Sequence, residues 1–95
     1  MNEYVYIIEL EQALGNARHS ARFYVGYTTR TPQKRLATHR AGKGAAMLRE
    51  ANRRGIAYKI VHEIECGAGE GRAIEKRIKA YKNTAKWLQR NAYVQ

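Results

Sequence analysis

Residues 4–10, YVYIIEL, are apolar at both odd and even positions, with only Glu9 breaking the run. A strand with one covered face alternates in polarity, so this run predicts a strand packed on both faces and central in its sheet. Any fold open to the chain must therefore lay structure above and below this strand. With 95 residues there is material for one modest core, and a single unit over residues 1–95 is expected.

The pattern lapses over residues 11–20, around Gly15 and Asn16, and β character resumes over residues 22–26 (RFYVG), which reads as a hairpin with a wide loop. Thr31-Pro32 is a helix start: Thr caps the exposed N–H groups, and Pro at the first helical position loses no needed donor. A helix is expected from about Pro32 to Ala41. Gly42 and Gly44 interrupt it, and residues 45–54 read as a second short helix ended by Gly55.

From residue 56 to 64 one parity carries Ile56, Tyr58, Ile60, His62 and Ile64 and the other carries Lys59 and Glu63, the mark of a half-exposed strand. After a glycine-rich turn, Ile74, Ile78, Tyr81, Ala85 and Leu88 recur at helical intervals. They predict one long helix, or two joined near Asn83. The fold class expected is α/β in the mixed α+β sense. A small central antiparallel three-stranded sheet is flanked by helices in the order β-β-α-α-β-α, with a further helix if the last one divides.

Eighteen Lys and Arg stand against eight Asp and Glu, a net charge of +10 that makes a polyanion the first partner to consider. Between Arg30 and Arg54 lie eight basic residues and one acid, Glu50. Arg30, Lys34, Arg40, Lys43, Arg49, Arg53 and Arg54 are the candidate nucleic-acid-binding set. Ribosomal, membrane-surface and heparin-binding proteins share such charge, so charge alone does not choose among them. A single cysteine, Cys66, rules out an intramolecular disulfide and fits a reducing, cytoplasmic setting. It reads as a small core residue. No stretch reaches the apolar length of a membrane span, and no secretory signal is evident.

Several short elements recur in a fixed order: Tyr4-Val5-Tyr6; Tyr24-Val25-Gly26-Tyr27-Thr28; Lys34-Arg35-Leu36 with His39 four positions after Arg35; and Ala73 to Lys79 around Glu75. Together they resemble the GIY-YIG nuclease superfamily, especially small members whose first motif reads YVY, and the resemblance covers residues 4 to about 79. Tyr4 replaces the first glycine of the name motif, and the family's late asparagine has only Asn83 and Asn91 as loose candidates. The resemblance implies a metal-dependent DNA endonuclease with one Mg²⁺ (or Mn²⁺) per active site held by Glu75. It also implies catalytic roles for Tyr6, Tyr24, Arg35, His39 and Glu75, with Tyr24 as general base or water-positioning group, and supporting roles for Gly26 and Tyr27.

Read without the resemblance, the same residues remain ambiguous. Glu75 neighbours the stripe residue Ile74, where a carboxylate suits a hard cation, but it also stands i,i+4 from Lys79 as a surface ion pair would. Arg35 and His39 share one helical face, where an Arg fork suits phosphate and His can share a proton. Tyr4, Tyr58 and Tyr81 read as packing residues, and His19 and His62 as structural. A nucleic-acid-binding module that no longer cleaves is the alternative function, and an RNA-associated basic protein a weaker one. With no appended region evident, structure-selective or weakly sequence-specific cutting is expected. The residues do not choose between repair, recombination, mobile-element and phage settings.

Overall fold

The computed structural model describes residues 2–15 and 20–93. In chain order the elements are β1 (Glu3–Gly15), β2 (Ser20–Thr28), α1 (Pro32–Arg40), α2 (Ala46–Arg53), β3 (Tyr58–Cys66), α3 (Gly71–Ala80), α4 (Thr84–Leu88) and a π-helical turn, Gln89–Tyr93. The three strands form one antiparallel sheet in the order β2-β1-β3. The expected element order and the central place of the first strand are both present. Val5, Tyr6, Ile7 and Ile8 are all fully buried, as a strand apolar on both parities requires.

The sheet has two covered faces. Tyr6, Ile8, Leu10 and Leu14 meet Leu48 and Ala51 of α2 and Tyr58 of β3, with Leu36 of α1 at the margin. Val5, Ile7 and Val25 meet Ile78 of α3 and Leu88 of α4 on the other side. Helix starts and stops follow local chemistry. The Thr31 hydroxyl accepts from the Lys34 N–H, and Gly42 and Gly55 take the positive φ that ends α1 and α2.

Several sequence expectations are corrected. First, β1 continues through residues 11–15, where a loop was expected. Its pairing with β2 slips between Glu9 and Leu14, which breaks the alternation; Arg22 Nε donates to the Leu10 carbonyl at 3.1 Å, and Leu14 returns to the core. Residues 16–19 of the expected loop, His19 among them, lie outside the described residues, and Ser20 already begins β2.

Second, β3 does not keep one apolar face. Ile7 pairs with His62 and Ile8 with Ile60, so Val61 is an extra residue that turns the strand over. Tyr58 and Ile60 therefore face α2, whereas Val61 and Ile64 face α3 and α4. Third, Tyr81 is exposed, not part of a continuous stripe. The helix divides at Lys82, whose φ is 62°, and α4 restarts with Asn83 Oδ1 accepting from the Lys86 N–H, so helical phase is lost across the break. Cys66 closes β3 half-buried, its thiol donating to the Glu3 carbonyl at 3.5 Å, at the edge of the core and not within it.

Candidate active site

Tyr6 and Tyr24 come from neighbouring strands and meet on the α1 side of the sheet, their ring centroids 6.1 Å apart. Register makes this possible. Tyr6 lies opposite Gly26, and a β-carbon at Gly26 would stand 2.6 Å from the Tyr6 hydroxyl and 2.7 Å from the Tyr24 ring. The absent side chain is thus the space the two rings occupy. Burial holds the Tyr6 hydroxyl well above the usual phenol range, with the neighbouring Tyr24 adding to the shift and Arg35 opposing it. Tyr24 is only half-buried, so it is the member of the pair that meets solvent.

His39, fully buried, completes the group. Its ring lies edge-on to Tyr24 at 5.4 Å, and its Nε2 stands 2.9 Å from the Tyr6 hydroxyl. The Ala45 N–H donates to Nδ1 at 3.2 Å, so the ring proton sits on Nε2 and is given to the Tyr6 oxygen. Asn52 in turn donates to the His39 carbonyl at 2.8 Å, and the Tyr58 hydroxyl fixes Asn52. Burial, then the Arg35 charge, push the imidazole down to about 4. His39 is therefore neutral at neutral pH with both nitrogens engaged, an arrangement suited to holding Tyr6 rather than accepting a proton.

Arg35, one helical turn before His39, is half-buried and lines a basic depression of about 470 Å³ with Tyr27, Thr28, Arg30, Lys34 and Thr38. Glu75 comes from the opposite side of the sheet, on α3. Its half-buried carboxylate pairs with Lys79 Nζ at 3.4 Å. Lys79 itself lines a groove along the free edge of β2 together with Tyr24, Val25, Met47 and Asn83. Four of the five expected catalytic residues thus stand on one face. The fifth, Glu75, is linked by its ion pair to the groove that holds Tyr24.

A family model for the GIY-YIG catalytic domain matches residues 2–89, nearly the whole chain. The chain belongs to the GIY-YIG family. No curated protein and no solved structure matches it at a significant level. GIY-YIG domains are nucleases, so nucleic acid is the substrate class, and they generally use divalent metal ions. Among the described residues no helix is long and apolar enough to cross a membrane.

The donor chemistry of this GIY-YIG domain fits such an ion. Among the described residues no three His, Cys, Asp or Glu side chains cluster as a cage would need. One half-buried carboxylate on Glu75, paired only with the exposed Lys79 among the described ion pairs, suits a hard cation that keeps most of its waters.

The expected basic residues divide. Arg30 and Lys34 line the depression beside Arg35, and Lys43 and Arg49 are exposed. Arg40 donates to the Tyr58 carbonyl at 3.0 Å, while Arg53 and Arg54 both pair with Glu50, holding its carboxyl down at about 2. Tyr27 faces the α3 side, where its hydroxyl accepts from Arg72 Nε at 3.3 Å. Of the late asparagines, Asn83 lines the Tyr24 groove, whereas Asn91 donates to the Trp87 carbonyl.

Two residues went unread in the sequence. Gly44 served there only as a helix breaker, yet a β-carbon on it would stand 1.9 Å from His39 Nδ1. Arg72, three residues before Glu75 on α3, was available as an i,i+3 neighbour of the candidate ligand.

Proposed function

We propose that this GIY-YIG domain is a metal-dependent DNA endonuclease that hydrolyses phosphodiester bonds by a tyrosine-assisted attack of water. The observation that carries the proposal is the joined group of Tyr6, Tyr24 and His39 beside the Arg35 depression. Tyr24, half-buried at the groove, receives or orients the water proton. Tyr6 and His39 fix the Tyr24 ring. The Arg35 fork holds the phosphate as charge builds on it. Asn83 offers its amide N–H to the same groove, since its Oδ1 is already used as the α4 cap.

Glu75 would hold one Mg²⁺ (or Mn²⁺), which supplies charge neutralisation and a more acidic bound water. Cutting is structure-selective or weakly sequence-specific in this proposal, because the cations beside Arg35 are placed to hold backbone phosphate, whose contacts carry no sequence information. Repair, recombination and phage DNA processing are all compatible settings.

Purified protein incubated with plasmid and branched DNA in Mg²⁺ or Mn²⁺ is expected to cut, and Glu75→Ala to be inactive. Cutting retained by Glu75→Ala would overturn the metal assignment. A non-cleaving nucleic-acid-binding module is the second reading, favoured by the Glu75–Lys79 pair, which occupies the proposed ligand. Salt-sensitive DNA binding with no cutting under either metal would establish it instead.

A further inference from the structure

Tyr4 has a different environment from its motif partner Tyr6. It is half-buried, yet it belongs to neither hydrophobic cluster, and among the described residues its hydroxyl has no hydrogen-bond partner and its ring no aromatic neighbour. Instead it forms a wall of an open depression of about 460 Å³ between the start of β1 and the start of α1, lined also by Asn2, Thr29, Arg30, Thr31 and Lys34. That volume lies within the range of about 300–1,000 Å³ that holds small organic ligands.

Arg30 and Lys34 are exposed, and no carboxylate pairs with either among the described ion pairs. Their backbone N–H groups are committed to the Thr28 and Thr31 hydroxyls, so the side chains are what the depression offers. The same Arg30, Lys34 and Thr29 also line the Arg35 depression, which makes the two cavities continuous through shared walls. Two acids of β3 stand near the Tyr4 depression, and both are engaged: Glu65, opposite Tyr4, accepts from the Asn2 amide, and Glu63 accepts from the Gln33 amide at 3.1 Å.

We infer that the Tyr4 depression is a nucleotide subsite for the strand flanking the scissile phosphate, with an unpaired base stacked on Tyr4 and its phosphate held between Arg30 and Lys34. This rests on the endonuclease proposal, since it continues the Arg35 phosphate site by one nucleotide. A flat ring outside the core and two unpaired cations are the combination that binds single strands without reading sequence. The substrate would then carry an unpaired nucleotide next to the cut, as at a flap, fork or bubble.

The test separates binding from cutting. Short single-stranded DNA bearing 2-aminopurine is titrated into the intact protein in EDTA, where no cleavage occurs. Stacking should quench the fluorophore in the wild type and in Tyr4→Trp. Tyr4→Leu, which keeps apolar bulk without a flat face, should abolish the quench and weaken binding on the order of tenfold. The double variant Arg30→Ala/Lys34→Ala should weaken binding further and reduce its salt dependence by about two ions. Equal quenching and affinity in folded Tyr4→Leu and wild type would overturn the subsite. Absence of cutting by the wild type, with these binding differences intact, would count against the endonuclease proposal and leave the Tyr4 depression as a nucleotide-binding site.

Discussion

Towards α1 and α2 the sheet buries polar groups, Tyr6 and His39, whereas towards α3 and α4 its buried set is Val5, Ile7, Val25, Ile78 and Leu88. A buried polar group destabilises unless it is hydrogen-bonded, and no buried side-chain nitrogen or oxygen among the described residues lacks a partner. The first face is therefore stable only on condition that every contact around His39 is made. The second carries no such condition and supplies plain apolar burial. It also holds α3 against β2, with Glu75 at its rim beside the Tyr24 groove. In the proposed function the polar group on one side of the strand carries the tyrosine chemistry, while the apolar side carries stability and contributes only Glu75, at its edge.

The sharpest way to test this division is Glu75→Ala. Loss of metal chemistry worth several kcal/mol should lower kcat on the order of a thousandfold. The i,i+4 pair of half-buried Glu75 with exposed Lys79 contributes less than about 1 kcal/mol, so urea denaturation should change little. A large loss of stability would mean that Glu75 belongs to the scaffold.

Ile78→Ala should do the reverse, removing about 2–5 kcal/mol of stability by urea denaturation while leaving the rate per folded molecule near that of the wild type. Tyr6→Phe falls between them. It leaves the His39 Nε2–H without its acceptor, which costs about 1–3 kcal/mol, and frees the ring that positions Tyr24, so stability and rate should fall together. A rate loss with no change in stability would show that the Tyr6–His39 hydrogen bond does not hold the scaffold.

A smaller effect follows from pH. His39 sits at about 4 in the folded chain against an ordinary 6.5. Between these values the unfolded chain takes up a proton that the folded one excludes, so stability is fully present above pH 6.5 and falls as pH drops towards 4. Burial lowers His62 as well and adds to the same slope, while Glu3 and Glu50 act at lower pH. Thermal melts of His39→Gln should show a shallower decline over this window. Gln also offers one donor and one acceptor, so cutting at pH 7 should survive if His39 positions Tyr6 and vanish if it must carry a proton.

The smallest difference is expected on the basic surface. Lys34→Ala should reduce the salt slope of DNA binding by about one, whereas Arg53→Ala, already paired with Glu50, should change it by much less. Equal slopes would show that the Arg53–Glu50 pair opens on binding.

Much of the fold was legible because its signals are local. Apolar parity placed β1 at the centre, Thr31-Pro32 and the glycines marked the helices, and Ile78 and Leu88 declared a core face. What escaped notice depended on distant partners. Val61 is one more apolar residue until pairing with β1 makes it a bulge, and residues 11–15 read as loop because slipped pairing removes alternation.

At the candidate site the available side chains are legible along the chain: two tyrosines on paired strands, Arg35 and His39 on one helical face, and Glu75 beside a helical stripe. Tertiary structure decided their states. It locked the His39 tautomer with Ala45 and made Gly44 necessary to that contact. It assigned Arg53 and Arg54 to Glu50, and it left Tyr4 outside the core beside Arg30 and Lys34. The physical reason is that spacing along the chain fixes direction on a helix or strand, whereas burial, protonation and pairing depend on what the rest of the chain brings within a few ångströms.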